Sequence, residues 1–445
     1  MRMEKFQFNQ TKVAMVFAML SLGLSANADV KVNEVMPCNV STYMENYNYP
    51  GWVEVYNNAT SSVNLKGYKF VHYKSQDDGT YKYDWTWKVT EDKTISGDAY
   101  KLFFFDGSDM DSRRDIKLDS DGGILVIRDA SGAQVDSFVY KATQTYVSYG
   151  IGLEGRGYME PTPKAKNGVA YASLSTGRCA QPKFSGDIVP GVIRHGGNVY
   201  LSTQTEGATI YYTTDGSEPT KDKKVYQGSI SVDGNKVIRA RAYKDGMISS
   251  SILTGSFIFV DSKHEAVGGF TLPIVSIVTD QKNFYDDQIG ICVVGTNGKE
   301  PETDCLRDFG RANYLQDWTR PVNFEYIVND QQVLSHEAEV AVMGGCSRGD
   351  NNRIKSLKIK AGNRMGSGNS KLKYDFFEDK VGNKYKSLQL RNGGNAYEAQ
   401  YVRCRDGFMQ SIAKPMQIDY QAYQPVAYYI NGEYKGLMGL RERTN

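Results

Sequence analysis

TIYYTTDGSEPTKDKKVYQGSISVDGNKVIRARAYKDG, residues 209–246, is the stretch that decides the fold class. Its two outer runs, TIYYTTD and KVIRARAYKDG, are rich in β-branched and aromatic residues, and Asp215-Gly216 and Asp233-Gly234 supply the tight turns that follow such strands. NVYLSTQ before it and SFIFV after it extend the pattern, so residues 180–260 read as one small module of short strands. Upstream, residues 29–166 carry VKVNEVM, GWVEVYN, YKFVHY, YKLFFFD, GGILVIRD and VDSFVY at sandwich-like spacing, closed by PTPKAKNG. Downstream, residues 270–445 form a third block. A chain of 445 residues is too long for one core, and 31 tyrosines, 44 glycines and few helix-period patterns favour sheets joined by turns. The expected class is multi-domain and mainly β.

Residues 1–28 read as an export signal. Arg2, Lys5 and Lys12 precede an apolar stretch from Val13 to Leu24, and Ala26-Asn27-Ala28 has the small-residue pattern of a cleavage site. The apolar stretch is shorter than the roughly 20 residues of a membrane-spanning helix, and Asp29 stands where a lipid-bearing Cys would be needed. A secreted, surface or periplasmic protein without a transmembrane segment is expected. The formal charge of +2, with both signs interleaved, argues against nucleic acid and anionic membrane as partners. Of the six cysteines none forms the close pairs of zinc or redox motifs, but Cys292 and Cys305 bracket a polar loop that a disulfide would close; free, buried thiols are the alternative.

Three resemblances follow from these motifs. VNEVMP, GWVEVYNNATSSVNLKGYKF, GGILVIRDASGAQVDSF and SYGIGLEG resemble the lamin-tail domain, which implies an immunoglobulin-like sandwich and an accessory role. YYTTDGSEPT and the strands after it resemble the small C-terminal sandwich of chitobiases and β-hexosaminidases; that module carries no hexosaminidase active site, and its size leaves no room for a paired-carboxylate cleft. In the third block MGGCSRG, SLQLRNGGN and NGEYKGLMGLRE resemble the spore coat protein H (CotH) kinase family. That resemblance implies an α+β kinase-like domain using ATP and a divalent metal, Mg2+, to phosphorylate serines of surface or secreted proteins. The family's metal-holding and acceptor-orienting carboxylates follow the NGEYKG motif, and the sequence ends at Arg443-Thr444-Asn445 just beyond it. The domain is therefore expected to be incomplete here, a fragment of a longer product, with its catalytic residues unassigned.

The residues suggest where phosphates would lie. In IKSLKIKA, Leu357, Ile359 and Ala361 share one face while Ser356, Lys358 and Lys360 share the other. The strand follows the turn Gly344-Gly345-Cys346-Ser347-Arg348-Gly349, whose glycines would let backbone amides approach an anion. Arg348, Lys358 and Lys360 are the candidate nucleotide-binding residues, with Glu442 as the partner of a phosphate-binding lysine; a solvated lysine row is the ordinary alternative. Arg391, Asn392, Asn395, Arg403, Arg405 and Asp406 form a second polar cluster leading into an expected helix at 399–413, for which plain ion pairing is the competing account. In the first block, alternation puts Tyr81, Tyr83, Trp85 and Trp87 on one face of YKYDWTWK, either as core or as a platform for sugar rings or peptides. Asp106, Asp109 and Asp111 lack the spacing of a calcium loop. A non-catalytic adhesion protein binding glycan or protein through the aromatic row is the rival function.

Overall fold

The computed structural model describes residues 29–105, 116–260, 271–296, 312–348, 354–393, 404–416 and 418–443. The export signal, the Asp106–Asp111 run, Cys305 with its pairing to Cys292, and Asn395 and Arg403 lie outside the described residues. The chain divides into two units, Met1–Glu45 with Pro50–Gly177, and Asn46–Tyr49 with Arg178–Asn445.

The first unit contains β1 (Val30–Met36), β2 (Gly51–Asn57), β3 (Val63–Asn64), β4 (Lys69–Ser75), β5 (Tyr81–Lys88), β6 (Thr94–Ile95), β7 (Ala99–Phe105), β8 (Gly122–Arg128), β9 (Gln134–Lys141), β10 (Ser148–Gly152) and β11 (Gly155–Met159). Two sheets, in orders β11-β10-β1-β2-β7 and β5-β4-β8-β9, make the sandwich. Aromatic rings fill the space between them: Phe70 packs 4.9 Å from Phe103, and Trp85 stacks 5.0 Å from Phe105.

Here the expected aromatic row is corrected. The β4–β5 ladder shifts register, so that His72 faces Trp85 while Tyr73 faces Tyr83 and Asp84 is the extra residue. A bulge of this kind inverts the alternation beyond it. Trp85 and Trp87 enter the core, whereas Tyr83 is 55% exposed and meets Tyr73 edge-on. The bulge has a chemical cause: Asp84 pairs at 3.0 Å with Nδ1 of the fully buried His72, whose Nε2 lies 2.9 Å from the Tyr140 hydroxyl. A buried imidazole needs partners, and the extra residue supplies one.

The second unit begins with β12 (Lys183–Gly186), β13 (Gly191–Ile193), β14 (Gly197–Ser202), β15 (Thr209–Thr213), β16 (Lys224–Val225), β17 (Ser229–Val232), β18 (Lys236–Tyr243) and β19 (Leu253–Phe259). The sheet β12-β14-β17 and the run β16-β15-β18-β19-β13 enclose Val199, Leu201, Ile230, Val232, Ile238 and Phe257. Alternate residues of β18 pin the YYTTDGSEPT loop: Arg239 donates to Gly216 O at 3.0 Å, Arg241 pairs with Glu218 at 3.3 Å, and Tyr243 donates to Pro219 O at 3.0 Å.

The same unit continues with β20 (Ile274–Val278), β21 (Arg320–Val328), β22 (Gln331–Val342), β23 (Leu357–Lys360), β24 (Leu372–Lys373), β25 (Lys384–Tyr385), β26 (Ser387–Arg391), β27 (Tyr423–Ile430) and β28 (Glu433–Glu442). Seven of these run in the order β22-β21-β20-β27-β28-β26-β23, and the β22–β23 pairing closes the ring into a barrel. Closure leaves those seven strands no free edge. Val275, Ile277, Phe324, Val340, Leu357, Ile359, Leu388, Leu390, Val426 and Leu440 are among the residues filling it. Helix is scarce among the described residues of this block, Lys282–Tyr285 and Arg405–Ala413 being its α-helical segments. The described part is thus mainly β, where the resemblance implies an α+β layout.

Candidate phosphate-binding site

The barrel turns one face of β23 inward and one outward. Leu357 and Ile359 are buried in the core, while Lys358 and Lys360 point away from it. In register, Lys358 stands beside Gln389 of β26, and Gln389 beside Arg441 of β28, so all three side chains share the outer face. Lys358 is half-buried, and burial pushes its ammonium pKa down, as do the neighbouring cations Arg443 and Lys360; Asp317 and Glu339 pull the other way.

The glycine turn lies where β22 leads into this strand. Met343 N–H donates to Ser356 O at 2.9 Å, and Gly344 takes φ +108, a conformation that suits glycine. The turn Cys346–Arg348 follows. Arg348 Nη1 donates to Leu315 O at 3.2 Å, while its Nε is buried without a hydrogen-bond partner. Burial lowers the guanidinium pKa and Asp317 opposes that. Asp317 is thus a common electrostatic neighbour of Arg348 and Lys358. Lys355 braces the turn from beneath, donating to Arg348 O at 2.7 Å with its ammonium 4.2 Å above the Tyr314 ring.

Glu442 is placed otherwise than expected. It shares a row with Leu388 and Ile359, on the opposite face of the sheet from Lys358, and pairs with Lys380 at 3.0 Å while accepting from Ala422 N–H at 3.1 Å. Because side chains alternate along a strand, Arg441 rather than Glu442 is the β28 residue on the face of Lys358, one strand beyond Gln389. Arg441 is 1% exposed, and its Nη2 is buried without a partner, as is Oε1 of Gln389. Asp406, in the first turn of the helix Arg405–Ala413, pairs with Arg441 at 3.0 Å and Arg391 at 3.4 Å. The helix can lie this close because Gly407 and Gly439 both abut the Tyr423 ring, where a Cβ would come within 2.6 Å and 2.5 Å of its atoms. Asn392 is structural: its amide donates to Ile354 O at 2.9 Å and its own N–H to Ser356 Oγ at 3.0 Å.

Lys358 and Lys360 thus stand on the outer face of β23, with Arg391 and the buried Arg441 on the same face of the neighbouring strands, while Arg348 lies in the turn that precedes β23; exposed cations of this kind can hold phosphate oxygens by charge and by forked N–H donors. Sequence reasoning missed Lys355, Gln389 and Arg441. Arg441 was visible as the alternate position to Glu442 in GLRER; Gln389 had no signal apart from its place in SLQL. Among the described residues no three His, Cys, Asp or Glu side chains gather as a metal would require. Among the same residues no helix is long and apolar enough to cross a membrane.

Family models match three stretches of the chain. Residues 24–142 match the Lamin Tail Domain, 189–254 the chitobiase/beta-hexosaminidase C-terminal domain, and 340–445 the CotH kinase protein family. A comparison with curated proteins finds no match. Solved structures with remote similarity include the fibronectin(III)-like modules of Clostridium thermocellum CbhA, at 9% identity and TM-score 0.14 over 48% of this chain and 86% of that one. The Amycolatopsis orientalis exo-chitosanase CsxA follows at 13% identity and TM-score 0.15, over 49% of this chain and 26% of that one. Murine CEACAM1b gives 10% identity and TM-score 0.15 over 52% of this chain and all of that one, 100%. From one end to the other, the chain matches a lamin-tail domain, a chitobiase/hexosaminidase C-terminal domain and a CotH kinase domain, in that order.

Proposed function

We propose that this is an exported protein whose third block is the nucleotide-binding part of an atypical, α+β kinase-like domain that phosphorylates serines of surface or secreted proteins with ATP. The observation that carries the reading is the half-buried Lys358 on a cationic barrel wall, with Arg348 sharing its neighbour Asp317, inside the stretch matched to CotH kinases. Lys358 would neutralise a phosphate as a point charge, and Arg348 would add the charge of its guanidinium. The signal anatomy of residues 1–28 supports export.

The test is nucleotide binding and phosphate transfer by the full-length gene product with labelled ATP and Mg2+. Wild type is expected to bind ATP, and Lys358→Ala or Arg348→Ala to weaken binding roughly tenfold or more, the range of a charge-assisted hydrogen bond of about 1.5–3 kcal/mol. Absence of both binding and transfer defeats the proposal. Normal binding by both variants removes the assigned site. A second reading, a scaffold that binds glycan or protein, is favoured by the outward Tyr73–Tyr83 pair, with ring centroids 6.0 Å apart. A glycan and matrix binding screen on the whole protein, with Tyr83→Ala as control, separates the two.

A further inference from the structure

The second sandwich touches the barrel through its most characteristic residues. The outer face of β18 and β19 lies against the outer face of β20, β21 and β27. Ile258 packs with Ile274, Ile327, Ala427 and Tyr429, and Ser256 Oγ lies 2.8 Å from Ser276 Oγ while donating to Glu325. Gln332 donates to the other oxygen of Glu325 at 2.7 Å. β13 bridges the two parts by pairing with β19 and, at Gly191 and Gln331, with β22.

At one end of this junction two turns meet. Asn431-Gly432, with φ +49 and +83, is the two-residue turn between β27 and β28. Asn431 is held on both sides by Thr279, accepting from its N–H at 2.9 Å and donating to its carbonyl at 2.9 Å. Against this amide lies Gly216 of the YYTTDGSEPT loop. A Cβ there would come within 2.3 Å of Asn431 Oδ1 and 2.6 Å of Thr279 O. Gly216 is kept in place by Arg239, 8% exposed, whose Nη1 donates to the Gly216 carbonyl and whose Nε has no partner.

We infer that the second sandwich is a working part of the barrel: through Arg239 and Gly216 it clamps the Asn431–Gly432 turn, and so fixes β28, the strand that carries Arg441. The motif that marks one family match is thereby seated on the motif that marks the next, and the sandwich face pointing at the barrel is spoken for, closed to any outside ligand. The inference does not depend on the kinase-like reading, since it concerns the position of the hairpin and not what binds beside it.

Amide hydrogen exchange on the full chain tests it, because local opening of a hairpin is read directly from its amides. Arg239→Met is expected to speed exchange across residues 427–442 roughly tenfold, the loss of one buried hydrogen bond, and to leave β14 and β17 on the far side of the sandwich unchanged. Arg239→Lys, which keeps a donor for Gly216 O, should return the hairpin close to wild type. Gly216→Ala should act like Arg239→Met or more strongly; where that variant does not fold, the Met and Lys pair decides. Unchanged hairpin exchange in Arg239→Met, or loosening confined to β14 and β17, overturns the proposal, and so does a Lys variant that opens as fast as the Met variant. Arg239→Met that binds ATP normally while its hairpin opens faster would leave the clamp standing and count only against Arg441 in the phosphate site.

Discussion

Strand β5 in the first unit and strand β23 in the second were composed by the same rule, apolar or aromatic residues alternating with polar ones, and only β23 obeys it throughout. In β23 the ladder to both neighbours runs without a shift, so Leu357 and Ile359 enter the core and Lys358 and Lys360 leave it. In β5 the extra residue Asp84 splits the row, sending Trp85 inward and Tyr83 outward. Period-two patterns report burial only while the ladder stays in register. A buried polar group elsewhere in the sheet, His72 on β4, is enough to change that register.

The widest gap between the two halves of β5 should be thermodynamic. Trp85 is 7% exposed, stacks on Phe105 and donates its indole N–H to Lys117 O at 2.8 Å. Trp85→Ala is expected to destabilise the first unit by about 3–5 kcal/mol through lost burial and the cavity left behind. Chemical denaturation followed for that unit checks it. A cost near 1 kcal/mol would mean that the bulge does not separate core from surface as described.

A contrast between the units lies in their buried glutamates. Glu34 on β1 faces Glu54 on β2 in register, and burial pushes the Glu34 pKa up to about 7, with the Glu54 charge adding to it. Glu325 on β21 is likewise raised by burial to about 7, but Arg239 pulls against the rise. A carboxyl whose pKa is higher folded than unfolded binds more protons in the folded state between the two values. Its contribution is therefore fully present below about pH 4.5 and is lost as pH rises to about 7, by roughly 2–3 kcal/mol at 1.36 kcal/mol per unit. Thermal unfolding from pH 4.5 to 8 should show that loss in wild type, reduced in the first unit by Glu34→Gln and in the second by Glu325→Gln. Each Gln variant keeps the acceptor used by Thr162 N–H or by Gln332. If the variants keep the wild-type slope, these carboxyls are not the titrating groups.

Much of this fold was legible in the sequence, and what escaped has a physical reason. Asp215-Gly216 was read as a turn because glycine suits the positive φ such a turn needs, and Gly216 takes φ +83; Asn431-Gly432, with φ +49 and +83, is a turn of the same chemistry. That the two turns touch was not legible, since the contact joins residues more than two hundred positions apart through a barrel whose closing pair, β22 with β23, leaves no mark in either strand. The candidate site was half legible. Lys358 and Arg348 stood out by type and neighbourhood, whereas Gln389 and Arg441 join Lys358 only through the register of β23, β26 and β28. Glu442 misled for the same reason: it is one residue from Arg441 and therefore on the other face.

The smallest effects belong to the outward residues of both strands, and they discriminate best between surface and site. Tyr83→Ala and Lys358→Ala should each change stability by no more than about 0.5 kcal/mol, as substitutions outside a core do. Lys358 has a reason to be neutral or better: burial already disfavours its charge, and two cations stand near it. Removing an ammonium held in place against desolvation and like-charge repulsion relieves both, so a small gain in stability accompanied by weaker ATP binding is the signature of a residue kept for a ligand. Denaturant unfolding and ATP titration of the same Lys358→Ala preparation measure the two together. A loss of more than about 1 kcal/mol with unaltered binding would make Lys358 a structural residue of the barrel wall, and would leave β23 as ordinary in function as it is regular in register.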